Sequence, residues 1–215
     1  MHPPAVTMGE APPEPRVMRQ NAPGSPGGAP STPPPGFSGF VETHGIVSLE
    51  AEHFTQKVDH NGAGWEIIPG LGRTGDAVAI FPTTVASIDP ARLAADAPRL
   101  EYQVFFSAAG DVTATLNLLP TQPIGGGNGL RLALALDDQA PETVTAGAEV
   151  GSRAWAQRVL NELVTASTTL HVPAPGMHRL QIYMVDAGVV LDKIVLARDG
   201  PPPGYLGPPE TRVAQ

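Results

Sequence analysis

This 215-residue sequence predicts an all-β fold, an antiparallel sandwich of jelly-roll type. Three observations predict it. From about residue 40 onward, short runs of alternating apolar residues recur, which is the pattern of strands with one buried and one wetter face. Turn residues, chiefly glycine, proline and aspartate, separate the runs. Only one segment carries helical spacing, so a parallel βαβ sheet, which needs a helix between most strands, is excluded.

The elements follow in order. Residues 1–36 hold eleven of the 25 prolines and few large apolar residues. Such a segment buries too little surface to offset the entropy of ordering it, so residues 1–39 read as a disordered linker or a truncated connection. The first strand run is His44–Ala51, with Ile46, Val47 and Leu49. Asp76–Phe81 follows and is closed by Pro82. Leu100, Tyr102, Val104 and Phe106 alternate on one face, and Gly110-Asp111 supplies a turn. Val112, Ala114, Leu116 and Leu118 then alternate again. Leu130, Leu132, Leu134 and Leu136 repeat the period of two and end at Asp137-Asp138.

Ala154–Val164 is the helical candidate. Trp155, Val159, Leu160 and Leu163 form its apolar stripe, and Ser152 is its N-cap. Thr168–Val172, Arg179–Val185 and Val189–Leu196 return to strand character. Residues 40–198 thus make the sandwich, and 199–215 form a proline-rich tail in which Tyr205 and Leu206 could pin the chain down.

Composition excludes several classes of function. The net charge is −8 with only 13 Lys and Arg, so the clustered basic side chains that hold nucleic acid are missing. There is no cysteine, which removes disulfides, zinc–thiolate sites and thiol nucleophiles. No apolar run is long enough to cross a bilayer, and residues 1–30 contain no intact signal peptide. If the chain is exported as part of a longer protein, its signal lies upstream.

Several stretches together resemble the C-terminal domain of glycoside hydrolase family 115, the xylan α-1,2-glucuronidases. They are FVETHGIVSLEAEHF (Phe40–Phe54), GWEIIPGLGRTGDAVAIFP (Gly64–Pro82), LEYQ (Leu100–Gln103), LPTQP (Leu119–Pro123) and LRLALALDD (Leu130–Asp138). GMHRLQIYMVDAGVVLDKIVL (Gly176–Leu196) and GYLGPPET (Gly204–Thr211) complete the series. The sequence departs from the family pattern at Ala187, at Gly204 and in the proline-rich stretch after Asp199. More distantly, the same segments look like the carbohydrate-binding modules of families 6 and 35, through Glu50-Ala51-Glu52 at the start and Asp192 in the last strand.

The resemblance implies a carbohydrate-binding-module-like sandwich acting as an accessory module of an α-glucuronidase. The catalytic machinery would lie in preceding domains, which remove 4-O-methyl-glucuronic acid from glucuronoxylan. Its partners would then be the catalytic domain, xylan or a second copy of the chain. In the related modules, carboxylates on the first and last strands meet at a structural calcium. Glu50, Glu52 and Asp192 are the candidate ligands here, since calcium takes six to eight oxygens. The competing reading pairs one carboxylate with Arg or Lys and leaves the others in solvent.

Other constellations are weaker. Glycoside hydrolysis needs two carboxyl groups flanking the bond, whereas Asp89, Asp96, Asp111 and Asp138 are scattered among turns, so no catalytic residue is assigned. His44, His53 and His60 fit no common zinc spacing and read as surface or hydrogen-bonded imidazoles. Gly125-Gly126-Gly127 lacks the Lys and Ser/Thr of a phosphate loop and reads as a flexible strand connection. Sugar recognition would use an aromatic face. Trp65, beside Gly62 and Gly64, is the candidate, weighed against a core role. Tyr102 lies in phase with the core positions.

Overall fold

The computed structural model describes residues 32–123, 129–148, 151–202, 204 and 206–213. In chain order these residues form β1 (Gly39–Val41), β2 (Ile46–Glu50), β3 (Gln56–Val58), β4 (Gly64–Ile68) and β5 (Ala77–Phe81). A 3-10 turn at Pro90–Arg92 leads into α1 (Leu93–Asp96). Then come β6 (Arg99–Phe106), β7 (Gly110–Leu118), β8 (Leu130–Leu136), β9 (Glu142–Ala146) and α2 (Arg153–Leu160). The last four strands are β10 (Val164–Val172), β11 (Gly176–Met184), β12 (Val190–Ala197) and β13 (Arg212–Val213).

Two sheets pack face to face. One runs β13-β1-β6-β11-β8-β9, with β3 also on β6, and the other runs β10-β7-β12-β5-β4, with β2 also on β12. In each sheet two short strands share one side of a long central strand. β1 and β3 divide β6 between them, and β2 and β5 divide β12. Every pairing is antiparallel except that of β1 with β6.

The predicted alternation places the core correctly. Leu100, Tyr102, Val104 and Phe106 of β6 face Val112, Ala114, Leu116 and Leu118 of β7 across the interior, beside the four leucines of β8. Burial of this size supplies most of the stability of such a domain, at roughly 25 cal/mol per Å² of apolar area removed from water. Tyr102 is wholly buried, and its hydroxyl donates to the Ala51 carbonyl at 2.7 Å. That bond satisfies the one polar atom a buried tyrosine brings with it.

A bulge in β12 decides which residues meet at the candidate site. Leu191 pairs with Leu118 of β7, but the next partner, Asn117, pairs with Lys193. Asp192 is the extra residue. Leu191 and Ile194 therefore both point into the core, and Asp192 and Lys193 both fall on the outer face, as a bulge allows.

The chain after residue 205 is woven into both sheets. Thr211 N donates to Ser48 O at 3.0 Å and Ser48 Oγ donates to Pro208 O at 3.0 Å, which covers the free edge of β2. One residue after Thr211, β13 joins the edge of β1 in the other sheet. At the other end of the chain, Phe37 packs edge-on to Phe105 with ring centroids 6.1 Å apart. The linker reading of residues 1–31 lies outside the described residues, as do Gly125-Gly126-Gly127 and Tyr205.

The helix is shorter than expected, because Val164 already belongs to β10. Ser152 caps it by accepting from Trp155 N at 3.1 Å, as the sequence indicates. It ends in a Schellman motif: Glu162, at φ 53°, donates to Val159 O, and Leu163 donates to Arg158 O. Its apolar stripe is not core. Val159 and Leu160 are exposed and Trp155 is half-buried. Among the described residues no helix is long and apolar enough to cross a membrane.

Candidate functional site

The three predicted carboxylates come together on the outer face of the second sheet. Glu50 ends β2, and Glu52 lies in the turn that follows, closed by His53 N donating to Glu50 O at 3.1 Å. Asp192 arrives from the β12 bulge next to Lys193. Lys193, almost fully buried, lies opposite Glu50 in the ladder, with Nζ 3.0 Å from Glu50 Oε1. The same ammonium donates to the carbonyls of Leu206 at 3.0 Å and Pro208 at 3.4 Å, so one buried cation ties the site to the tail.

The segment after β4 folds over these groups. Thr74 Oγ1 lies 2.9 Å from both oxygens of Glu50, Arg73 N donates to Asp192 Oδ1 at 2.9 Å, and Asp76 N donates to Glu52 Oε1 at 3.0 Å. Glycine makes the contact possible. A Cβ on Gly72 would stand 2.7 Å from Asp192 Oδ1, and one on Gly75, whose φ is +75°, would collide with Glu52 Oε1.

Three carboxylates lie near the Lys193 ammonium, with the Arg73 charge also acting on Asp192, and the electrostatics still record an excess of negative charge. Burial raises the Glu50 carboxyl above its ordinary range. Lys193 and Thr74 oppose the rise and the Glu52 charge adds to it. Asp192 is raised for the same first reason. The Arg73 N–H and Lys193 work against the shift, and Glu52 again contributes to it. Glu52 Oε2 is buried with no hydrogen-bond partner.

This donor set suits a hard cation, which would relieve the mutual repulsion and satisfy the orphaned oxygen. Glu50 is already engaged by Lys193 and Thr74. Among the described residues no three His, Asp or Glu side chains are gathered into a metal-holding group. An ion here would therefore depend on Glu52 and Asp192 together with backbone carbonyls of the covering segment.

Trp65 does not present a sugar-binding face. It is 1% exposed, and its Nε1 donates to Pro98 O at 3.4 Å inside the core. The neighbouring glycines serve the tight turn before β4, and the alternation of β4 points the indole inward. The three histidines are dispersed: His44 sits in the turn before β2, and His53 Nδ1 lies 2.7 Å from Glu210 Oε1.

His60 lines a cleft that the sequence did not reveal. It lies between the turn after β3 and the crossover from β5 to β6, with a volume of about 620 Å³ including open solvent. His60, Asn61, Ser87, Asp89, Arg92 and Asp96 supply its polar groups, and Ala63, Val85, Ile88 and Pro98 its apolar surface. The residues come from two stretches, 60–63 and 85–98, that β4 and β5 separate in the chain, so no spacing in the sequence could announce them.

Comparison with known proteins follows from this architecture. The family model for the glycosyl hydrolase family 115 C-terminal domain matches residues 39–210. Among solved structures the chain is similar to BtGH115A, a family GH115 4-O-methyl-α-glucuronidase with specificity for decorated arabinogalactans. The identity is 22%, the match covers 72% of this chain and 18% of that one, and the TM-score is 0.55. A second is the C-terminal CBM6 of LamC, a marine laminarinase from Zobellia galactanivorans, at 14% identity, 71% and 99% coverage and a TM-score of 0.47. A third is an Arthrobacter globiformis T6 isomalto-dextranase complexed with panose, at 14% identity, 72% and 24% coverage and a TM-score of 0.49. No curated protein matches the chain. The likeness to the first structure concerns the fold, and the chain spans 18% of that enzyme's length.

Proposed function

The chain belongs to the glycosyl hydrolase family 115 C-terminal domains, and from that premise we propose that it is the non-catalytic accessory module of an α-glucuronidase. The module packs on the catalytic body of that enzyme and supports its assembly. The observation that carries this reading is the extent of the family match, which begins at β1 and ends one residue before Thr211. It takes in every strand from β1 to β12 and the tail up to Glu210. The buried carboxylates are also committed to internal bonds, such as Glu42 to Arg198 and Asp186 to Arg131, which suits a scaffold.

The parent enzyme then releases 4-O-methyl-glucuronic acid from a decorated plant polysaccharide. Glucuronoxylan is the first candidate, and a decorated arabinogalactan, the substrate named for the structural relative, is the second. Mixing the 215-residue chain with a family 115 catalytic body that lacks this domain tests the assembly role. Light scattering should report a complex, and the catalytic body should melt at a higher temperature in it. Two particles that ignore each other would overturn the reading.

We infer further that Glu52 and Asp192, with carbonyls of residues 70–76, hold a structural calcium ion. The ion would supply positive charge where burial strains two carboxylates, and so lock the covering segment to the sheet. The unpartnered Glu52 oxygen and the raised carboxyls of Glu50 and Asp192 support this. Calorimetry with added calcium and then with EDTA should move the melting temperature up and back. No movement in either direction removes the ion from the account.

A further inference from the structure

We propose that the cleft between the Asn61-Gly62 turn and the crossover from β5 to β6 is a binding site for an uncharged sugar residue of a glycan. The choice of a glycan rests on the accessory-module reading. The choice of this cleft, and of a neutral sugar, rests on the geometry.

The walls are fixed before any ligand arrives. On one side, His60 and Ala63 exchange two backbone hydrogen bonds at 2.9 Å around a turn whose Asn61 and Gly62 adopt φ 49° and +75°. On the other side, Ile88 N donates to Val185 O at 2.8 Å, and the Asp89 side chain accepts from Ala91 N at 2.9 Å. Arg92 pairs with Asp96 across one helical turn. Beneath the cleft, Pro98 O receives the Trp65 indole N–H, so the floor is the core itself. Pre-formed walls matter because a small ligand gains too little on binding to order a loop as well.

The lining matches a pyranose. Sugar hydroxyls both donate and accept, and the ring also has C–H surface. Asp89 and Asp96 accept, Arg92 donates, and Asn61 and Ser87 do both, while Ala63, Val85, Ile88 and Pro98 offer apolar contact. Without the open solvent the cleft holds about 250 Å³, just below the range of roughly 300–1,000 Å³ usual for sites of larger ligands, which suits a single sugar ring. His60 Nδ1 is shut off from solvent with no partner, so the ring's hydrogen bonding passes through Nε2.

Charge selects among sugars. The cleft holds two carboxylates and one guanidinium, and that guanidinium already faces Asp96. The balance is negative, so a uronate is repelled and a neutral residue of the polysaccharide backbone is favoured. No Phe, Tyr or Trp is among the described residues that line the cleft, and a single sugar should therefore bind weakly, with a Kd on the order of 1 mM or above.

Amide chemical-shift titration of the isotope-labelled 215-residue chain with D-xylose, D-galactose and sodium D-glucuronate tests the site. A neutral sugar should give saturable shifts confined to residues 60–63 and 85–98, and these shifts should vanish in Ala86→Trp, which fills the cleft from its exposed rim. The dispersion of the same spectra shows that the variant is folded. Shifts elsewhere, no shifts with either neutral sugar, or tighter saturation by glucuronate would each overturn the proposal. Association with the catalytic body, read by light scattering, is a separate outcome, so failure here is distinguishable from failure of the accessory role.

Discussion

Replacing Lys193 by methionine removes the ammonium paired with Glu50 while keeping roughly the length of the buried stem. Lys193 and Glu50 have side chains only 3% and 12% exposed, so the pair is shielded from solvent screening. Taking one partner from a buried pair typically costs about 3–5 kcal/mol, because the other charge is left uncompensated. Here the cost has a ceiling, since Glu50 can take up a proton instead. A carboxyl that ordinarily titrates near ~4.3 costs about 3.7 kcal/mol to protonate at pH 7 and about 1 kcal/mol at pH 5.

The Lys193→Met deficit should therefore be about 3 kcal/mol at pH 7, a loss of roughly 6–12 °C in Tm for a domain of this size. It should shrink to about 1 kcal/mol at pH 5. The sign follows from the direction of the shift. A carboxyl raised in the folded state stabilises below its unfolded value and ceases to do so as pH rises through the folded one. Calorimetry at the two pH values measures both numbers, and added calcium should restore more stability to the variant than to the parent. A deficit that stays constant from pH 5 to pH 7, or one below about 1 kcal/mol at pH 7, would refute the view that Lys193 neutralises this cluster.

Other outcomes follow from the same structure. Trp65→Ala should cost about 3–5 kcal/mol in urea unfolding, as a large core truncation does. Trp65→Phe, which keeps the packing, should leave any retention on a glucuronoxylan gel unchanged, and loss of retention would return Trp65 to the surface. Asp186→Asn weakens the two-point contact with Arg131 at 2.9 and 2.8 Å. Burial raises the Asp186 carboxyl, but hydrogen bonds from Arg131 and Ser87 outweigh that and hold it below its usual range. Its contribution is present above the unfolded value and lost as pH falls through the folded one. The variant should thus be about 1 kcal/mol weaker than the parent at pH 7, discounted because Arg131 is 40% exposed, and nearly equal to it in acid, by chemical denaturation at each pH. Deleting residues 206–215 uncovers the edges of β1 and β2, and light scattering should then show concentration-dependent association.

Much of this was legible because it depends on period. The eight strand runs of the sequence fall in β2, β5, β6, β7, β8, β10, β11 and β12. β1, β3, β4, β9 and β13, each two to five residues long, gave no usable alternation. The bulge at Asp192 did leave a trace: the apolar positions Val189, Leu191, Ile194 and Leu196 are spaced two, three and two apart. Of the two roles weighed for Trp65 the structure takes the core one, which the flanking glycines could not decide because they report local backbone freedom and say nothing about which face of a strand is turned inward.

By itself the sequence determined the class of fold, the family and the identity of three carboxylates, because alternation and motif are properties of neighbours along the chain. Only the tertiary structure decided what those groups do. It set Lys193 against Glu50, left one oxygen of Glu52 without a partner, laid the tail across Ser48 and enclosed a cleft between two distant segments. Each of these is a contact across many residues, and its energy depends on burial, which becomes defined only when the two sheets close on each other.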